Sequence, residues 1–284
     1  MPHKNEEAGK QKVKVAFQGE RGAYSESAVY AFFGEPIEVE PCKDFKTVFE
    51  NVKRQNVHYG VVPVENSIEG SVNQTYDLFL DYDLKVKGEV IVKIAHCLIA
   101  NPTATLKDVK TVYSHPQALA QCRNYLERQN WELIPTYDTA GSVKLIKEKN
   151  LINAAAIASE KAAEIYGMKI LAKDVADNLE NYTRFFVLSN DDSIVTGNDK
   201  TSIIFSAIHQ PGALYHALGE FAKRNINLTR IESRPTKQTP WEYNFYLDFE
   251  GHKNDPHCNE ALKALEKYAK FVRILGSYPR AMNL

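Results

Sequence analysis

The chain has 284 residues, 44% of them apolar and 25% charged, a composition typical of a globular protein long enough for two domains. Its 35 basic and 36 acidic side chains leave a net charge of −1, which argues against nucleic-acid or membrane partners held by overall charge. No apolar run approaches the ~18 residues of a spanning helix, and residues 1–12 lack the apolar core of a signal peptide, so we expect a cytoplasmic protein.

Strand and helix signals alternate over the first 190 residues. After an apolar strand at 13–17, a Gly-Glu-Arg-Gly turn leads to a helix near 25–33 that Gly34 closes. Asp44 is the predicted N-cap of the next helix, which lies between strands at 37–39 and 59–64. A second series has strands at 111–113, 133–134 and 154–158 and helices at 116–128, 138–149 and 160–166. This alternation predicts mostly parallel α/β sheets, with one long strand over 84–100 between the two series.

The last 85 residues follow a different order. Strands at 202–208, 228–233, 243–249 and 272–275 and helices at 213–224 and 260–270 give the order β-α-β-β-α-β of a ferredoxin-like domain. The polar, glycine-containing stretch 189–199 before it is the predicted boundary. Residues 1–199 hold 23 basic and 28 acidic side chains, whereas residues 200–284 hold 12 and 8, so the two parts also differ in the sign of their charge.

Polar clusters follow several of the predicted strands, which is where open α/β sheets bind ligands. Gly22 and Tyr24 lie at a helix start, an arrangement that favours anions but is also typical of a plain tight turn. Glu65, Asn66 and Ser67 crowd into the turn after the strand at 59–64, and a single helix cap does not require so many polar groups.

Three more clusters complete the set. Ser114 is the predicted N-cap before Pro116, and His115 beside it has no acidic partner that would indicate a hydrolase triad. Residues 138–142 form another polar helix start. Thr183 and Arg184 begin an apolar strand, in which an ordinary β-former and an edge-strand solubiliser are the alternative interpretation.

The sequence indicates neither a metal site nor a cofactor. The four cysteines include no Cys-x-x-Cys pair, and the eight histidines include no His-Glu-x-x-His spacing, so we expect four free thiols. The turn at 19–22 fits neither the dinucleotide fingerprint nor the phosphate loop. Donor-rich turns without an activated nucleophile favour a small polyanionic substrate and chemistry by proton transfer and electrostatics.

Four of these segments, in this order, resemble the signatures of the prephenate dehydratase family: residues 22–25, 63–67, 114–119 and 177–185. Residues 211–214 and 232–235 resemble the ACT regulatory domain of the same enzymes. The resemblance covers about residues 13–280 and implies a catalytic domain over 13–190 that resembles the two-lobed type II periplasmic-binding-protein fold. Its lobes would be about 13–85 plus 175–190, and 90–172. A linker over 191–200 and an ACT domain over 201–280 would follow.

The family's reaction is the loss of carbon dioxide and water from prephenate, which gives phenylpyruvate on the route to phenylalanine. The leaving hydroxide needs a proton, and a positioned general acid contributes roughly 10²–10⁴-fold. The resemblance gives this role to Thr183, without a cofactor. It implies that the catalytic set comprises Thr183, Glu65, Asn66, Ser114 and Gln121. Substrate binding would fall to Ser67, Thr139, Ser142, Arg184, Phe185, Gly22 and Tyr24.

The ACT resemblance implies feedback regulation by L-phenylalanine, bound across the interface of a homodimer or of a dimer of dimers. The implied effector-binding residues are Pro211, Gly212, Ala213, Leu214, Glu232, Ser233, Arg234 and Pro235. An effector regulates only if it binds one state of the protein more tightly than the other.

Two other functions remain open at this point. Arogenate dehydratase performs the same chemistry on the transaminated substrate, and a non-catalytic amino-acid sensor would share the predicted architecture. The segment Thr183-Arg184-Phe185 favours an enzyme over a sensor, because a pure binding protein does not need it. Some relatives carry a chorismate mutase domain ahead of this one, and the roughly 12 residues before the first strand lead us to expect no such activity.

Overall fold

The computed structural model describes residues 12–236 and 239–281. The prediction that the N-terminal residues form no signal peptide concerns residues 1–11, which lie outside the described residues. The first elements are β1 (Lys14–Gln18), α1 (Tyr24–Phe33), β2 (Glu38–Cys42), α2 (Phe45–Lys53), β3 (Tyr59–Asn66), β4 (Gly70–Ser71), α3 (Asn73–Asp81), β5 (Lys85–Lys93) and β6 (Cys97–Ala100). They are followed by β7 (Thr111–Ser114), α4 (Pro116–Gln121), α5 (Arg123–Glu127), β8 (Glu132–Pro135), α6 (Thr139–Glu148), β9 (Ala154–Ala158), α7 (Glu160–Tyr166) and β10 (Lys169–Ala172). The last are β11 (Tyr182–Ser189), β12 (Asp199–Ala207), α8 (Ala213–Ala222), β13 (Leu228–Pro235), β14 (Tyr243–Glu250), α9 (Pro256–Leu265) and β15 (Ala269–Pro279).

The predicted helix caps are mostly confirmed. Asp44 accepts a hydrogen bond from the Thr47 amide at 2.8 Å, and Asp138 accepts one from the Gly141 amide at 2.7 Å. Gly34 closes α1 with a φ of 71°. The prediction that Ser114 caps the helix after it was wrong, because the next residue along the chain takes that position and its side chain accepts the amide of residue 117.

Two predicted elements are interrupted. The strand expected over 84–100 is broken between β5 and β6, where the Ile94 amide bonds to Asn181 O and the His96 carbonyl accepts from Val175 N. The helix expected over 116–128 is broken at Cys122, whose backbone leaves the helical region at φ −113° and ψ 19°. At both breaks, backbone groups bond to distant parts of the chain. The spacing of apolar residues in the sequence does not reveal such bonds.

The described chain divides into two compact units. The first contains the residues up to Val61 and Ala95–Leu179. In it, β2, β1 and the start of β3 pair in parallel, and a second sheet has the order β10-β6-β9-β7-β8. The pairs β7–β8 and β7–β9 are parallel and β6–β9 is antiparallel, so this sheet is mixed where mostly parallel pairing was predicted. Its core contains Leu98, Val112 and Ile157.

The second unit comprises Val62–Ile94 and Glu180–Leu284. Here the end of β3 lies beside β11, and β11 pairs with β5 in antiparallel orientation. The C-terminal elements have the predicted order β-α-β-β-α-β and form an antiparallel sheet in the order β13-β14-β12-β15. This confirms the mixed α/β class with a ferredoxin-like C-terminal domain.

One face of the C-terminal sheet packs on α8 and α9 and forms the core of that domain. Its buried residues include Ile203, Phe205, Phe221, Leu247 and Phe249. Asn244 and Asp248 of β14 lie on the opposite face of the sheet, because successive side chains of a strand point to opposite faces. Both are polar and buried. None of the helices in the described ranges is long and apolar enough to cross a membrane.

Candidate active site

The side chains of Asn66 and Thr183 meet in the second unit, where β3 ends. Asn66 is the last residue of β3, and its Nδ2 donates to Thr183 Oγ1 at 3.0 Å and to Asn181 Oδ1 at 2.7 Å. Asn66 and Thr183 are both buried. A donor aimed at a hydroxyl oxygen stabilises the negative charge that develops there when the hydroxyl gives up its proton. Among the described residues, no acceptor takes the Thr183 hydroxyl proton, which leaves this proton to donate.

Asn66 is held in a single orientation. Its Oδ1 accepts the backbone amides of Ile68 and Glu69, both at 3.0 Å, so its Nδ2 must face β11. Ser67 adds a second link between the same segments, because its amide donates to Tyr182 O at 2.8 Å and its hydroxyl accepts the Tyr182 amide at 3.0 Å. The turn after β3 therefore positions a donor on Thr183.

Arg184 lies next to Thr183 and contacts three carboxylates. Its Nη2 donates to Asp248 on β14 at 2.7 Å and its Nη1 donates to Glu89 on β5 at 3.3 Å. Its Nε lies 3.2 Å from Glu65 Oε2. Asp248 and Glu89 are 2% and 4% exposed, so this is a desolvated ion cluster. Arg184 is thus already neutralised within the protein.

A lysine and a serine donate further hydrogen bonds to the same acids. Lys200 Nζ donates to Glu89 Oε1 at 2.8 Å, and Ser202 Oγ donates to Asp248 Oδ1 at 2.6 Å. Burial opposes ionisation of Asp248, but the charges of Arg184 and Arg230 outweigh it and lower the pKa of that carboxyl. Asp248 is therefore ionised near neutral pH.

Side chains of β13 contact β4 and α3 of this unit. Arg230 Nη2 donates to Glu232 Oε2 at 2.6 Å and to Ser71 Oγ at 2.5 Å, and Ser71 also bonds to Glu232. Arg234 forms a two-pronged ion pair with Asp77 on α3, with both N–O distances at 3.2 Å. Glu232 and Arg234 therefore face β4 and α3.

The remaining predicted effector residues lie elsewhere in the C-terminal domain. Ser233 pairs with Phe245, which packs against the helix-covered core, so Ser233 shares the face that carries α8. Gly212, with a φ of 77°, is the N-cap of α8. Pro211 is exposed, Ala213 is buried and Leu214 is partly buried. Pro235 ends β13 and is exposed.

In the first unit, Gln121 ends α4 and is held by a buried histidine. Gln121 Oε1 lies 3.0 Å from His96 Nε2, and Tyr24 Oη lies 3.1 Å from His96 Nδ1. Tyr24 also donates to the Ala95 carbonyl at 2.7 Å. Burial lowers the pKa of His96, only partly offset by the bond to Gln121, so the imidazole is neutral at pH 7. Tyr24 and His96 together orient the Gln121 amide.

The other predicted residues of this unit have mostly backbone partners. Ser114 Oγ donates to Ile157 O at 2.6 Å, and Ser142 Oγ donates to Asp138 O at 2.9 Å. Each of these buried hydroxyls gives its one proton to a carbonyl, so its oxygen can only accept, and the Ser142 oxygen already lies 2.6 Å from Thr136 Oγ1. Thr139 is the first residue of α6 and is partly exposed. In the second unit, Phe185 is a core residue of β11 with 2% exposure.

Sequence reasoning missed four side chains that hold the predicted ones: Asn181, His96, Glu89 and Asp248. The two acids lie within apolar strands, and a charged residue at such a position signals a buried ion pair. His96 lies in what had been predicted as continuous strand, so no signal pointed to it.

A possible metal-ligand group occurs at the start of α9, formed by Asp255, His257 and Cys258. Asp255 Oδ2 already accepts the His252 amide at 2.8 Å. Burial raises the pKa of the Cys258 thiol to about 11, which keeps it protonated and poorly suited to bind a metal.

Comparison with known proteins gives a consistent result. The family model described as "Prephenate dehydratase" matches residues 15–193, and the model described as "ACT domain" matches residues 201–267. The chain is 47% identical to "Arogenate dehydratase/prephenate dehydratase 2, chloroplastic" of Arabidopsis thaliana, covering 94% of this chain and 73% of the relative.

A shorter relative and a solved structure agree with this. The chain is 43% identical to "Prephenate dehydratase" of Methanocaldococcus jannaschii over 91% of this chain and 95% of the relative. It superposes with a TM-score of 0.86 and 34% identity on the prephenate dehydratase of Arthrobacter aurescens in complex with L-Phe, covering 94% and 90% of the two chains.

Proposed function

Since this chain belongs to the prephenate dehydratase family, we propose that it catalyses the decarboxylating dehydration of prephenate to phenylpyruvate, with Thr183 as the proton donor. In this reaction the bond between the ring and its carboxylate breaks, and its electron pair enters the ring. The bond from the ring to the hydroxyl group breaks in turn, and the oxygen leaves as water once it has received a proton. The products are phenylpyruvate, carbon dioxide and water.

The hydrogen bond from Asn66 to Thr183 is the observation that supports this assignment. A threonine hydroxyl is a very weak acid, so it can protonate hydroxide only where the oxygen it leaves behind is stabilised. Asn66 Nδ2, 3.0 Å from Thr183 Oγ1, supplies that stabilisation. The bond is preorganised, because Asn181 and two backbone amides already hold the Asn66 side chain.

We assign supporting roles to the other residues by their partners. Gln121 is a substrate-orienting group whose amide His96 fixes, and Tyr24 acts through His96. Arg184 stabilises the segment around Thr183 and Glu65 instead of pairing with the substrate, because its charge is already matched by carboxylates. We retain the roles in catalysis or substrate binding that the resemblance implies for the remaining residues, namely Ser67, Thr139, Ser142, Ser114, Phe185 and Gly22.

Substitution of Thr183 tests the proposal directly. Thr183→Val removes the hydroxyl and keeps the shape, so we expect phenylpyruvate formation from prephenate to fall by about 10²-fold or more at nearly unchanged KM. Thr183→Ser is the matched control, since it retains a hydroxyl and should keep most of the activity. Full activity of the valine variant would remove Thr183 from the mechanism.

We further propose that L-phenylalanine binds the ACT domain of a homodimer, or of a dimer of dimers, and inhibits the enzyme. The match to the ACT family over residues 201–267 and the L-Phe complex of the Arthrobacter aurescens enzyme support this. Added phenylalanine should raise the melting temperature and lower the rate. The cytoplasmic location stays a prediction of the sequence.

Arogenate is a second candidate substrate, because two of the relatives with high identity are named arogenate dehydratase/prephenate dehydratase. The two substrates differ in an ammonium group in place of a ketone, and only direct comparison separates them. Parallel measurement of kcat/KM on both compounds decides the question: faster turnover of arogenate would overturn prephenate as the preferred substrate.

A further inference from the structure

The ion pair between Arg184 and Asp248 joins β11, which carries Thr183, to the ACT domain. Arg184 follows Thr183 on β11, whereas Asp248 belongs to β14 of the ACT sheet. Their N–O distance is 2.7 Å, and the two residues are 9% and 2% exposed. A buried pair of this kind is costly to break on one side, because loss of the Asp248 charge leaves Arg184 with only Glu89 and Glu65 as partners.

Asp248 also lies directly across from β13, the strand that carries the predicted effector residues 232–235. In the antiparallel register of β13 and β14, Asp248 is opposite Arg230, two residues before Glu232. A shift of β13 against β14 would therefore change the surroundings of Asp248. Its other carboxylate oxygen is held by Ser202 of β12, which fixes the side chain on the central strands of the ACT sheet.

Other links also join the ACT domain to this part of the unit, among them the 2.8 Å bond from Lys200 of β12 to Glu89 of β5. Arg234 pairs with Asp77 on α3, which carries no predicted catalytic residue. Arg230 Nε lies 3.7 Å from Glu65, whose side chain is 37% exposed. The Asp248 contact, at 2.7 Å, is shorter than these three ion pairs, and it is made to Arg184, the residue next to Thr183.

We propose that Asp248 is a positioning residue for Arg184 and that inhibition by phenylalanine passes to the active site through this ion pair. The proposal rests on the proposed function, namely catalysis at Thr183 and inhibition through the ACT domain. A change of the ACT sheet moves Asp248, Arg184 follows its partner, and the adjacent Thr183 leaves its position beside Asn66. Such coupling between sites typically amounts to roughly 5–150-fold in affinity or response.

The test compares Asp248→Asn with Glu250→Gln in the full-length chain. Glu250 lies two residues further on the same strand and forms an ion pair with Arg280 at 2.5 Å. For each protein we would measure the prephenate dehydratase rate with and without saturating L-phenylalanine, and the Kd of L-phenylalanine by calorimetry.

We expect Asp248→Asn to bind phenylalanine within about threefold of the unmodified chain, but to show less than about twofold inhibition. Glu250→Gln should remain inhibited like the unmodified chain. Equal inhibition of Asp248→Asn and the unmodified chain would overturn the proposal, and so would loss of phenylalanine binding in Asp248→Asn. The latter would place Asp248 in the effector site.

A second variant keeps the test decisive if Asp248→Asn fails to fold. Ser202→Ala removes the hydroxyl that bonds to Asp248 and to Tyr278, so it loosens the Asp248 side chain on the ACT sheet while both charges of the ion pair remain. If Asp248→Asn does not melt cooperatively, reduced inhibition in Ser202→Ala supports the proposal and unchanged inhibition refutes it. Absence of activity or of inhibition in the unmodified chain would instead refute the proposed function, so the two failures are distinguishable.

Discussion

Asn66 Nδ2 and Thr183 Oγ1 lie 3.0 Å apart although the two residues are 117 positions apart in the chain. The bond fixes the direction of proton donation, because the amide can only donate and the hydroxyl oxygen must accept. The hydroxyl proton then points away from Asn66. This pair combines a weak acid with the group that makes the acid effective.

We expect Asn66→Asp to lower kcat by about 10²-fold or more while KM changes much less, because an ionised carboxylate cannot donate to Thr183 and repels charge on its oxygen. Steady-state kinetics with prephenate measure the effect. Asn56→Asp, at an exposed turn position, makes the same change of chemistry away from the site and should keep full activity. If Asn66→Asp retains its kcat, the hydrogen bond has no part in proton transfer.

The turns after the strands were found from the sequence because they carry more polar groups than a turn needs. Glu65 and Asn66, which end β3, and Ser67 directly after them illustrate this. The C-terminal order of elements followed from alternation and helix spacing alone. Both kinds of signal are local, since they depend on residues within one element or one turn.

The residues that bind these side chains could not be predicted from local sequence signals. Glu89 and Asp248 contact Arg184 across 95 and 64 positions, and such pairing depends on strand topology. A charged residue within an apolar strand indicates that a partner exists but not which residue it is. The break at residues 94–96 has a similar cause, because distant backbone groups bond to the interrupted segment.

Protonation of His96 should make the stability of the protein depend on pH. Burial lowers the pKa of His96 in the folded chain, whereas in the unfolded chain the group titrates at about 6.5. Below that pH the unfolded state binds a proton that the folded state does not, so the free energy of unfolding falls as the pH drops towards the folded pKa. The slope of the free energy of unfolding with pH due to His96 is at most about 1.4 kcal/mol per pH unit, and it vanishes above about pH 7.

Urea unfolding at pH 7.5 and pH 5.5 checks this contribution. His96→Asn removes the titrating group and should reduce the difference between the two midpoints. His209→Asn alters an exposed histidine and should leave the difference as it is in the unmodified chain. An equal pH dependence in the unmodified chain and in His96→Asn would show that His96 is not responsible.

Gly22 should tolerate no side chain, because two separate constraints act on it. Its φ is 88°, and a Cβ atom there would lie 2.6 Å from the Cα of Ala162. Its amide donates to Glu26 at 2.5 Å, and its carbonyl accepts from Ser159 at 2.6 Å, so the backbone cannot move without loss of these bonds.

Gly197 separates the two constraints, since its φ is 86° but a Cβ there would meet nothing within 4 Å. We expect Gly197→Ala to lose about 1 kcal/mol from backbone strain alone. Gly22→Ala should lose about 3 kcal/mol or more, because the clash with Ala162 adds to that strain. Thermal melts of the two variants make the comparison, and an equal loss in both would mean that the contact with Ala162 relaxes at no cost.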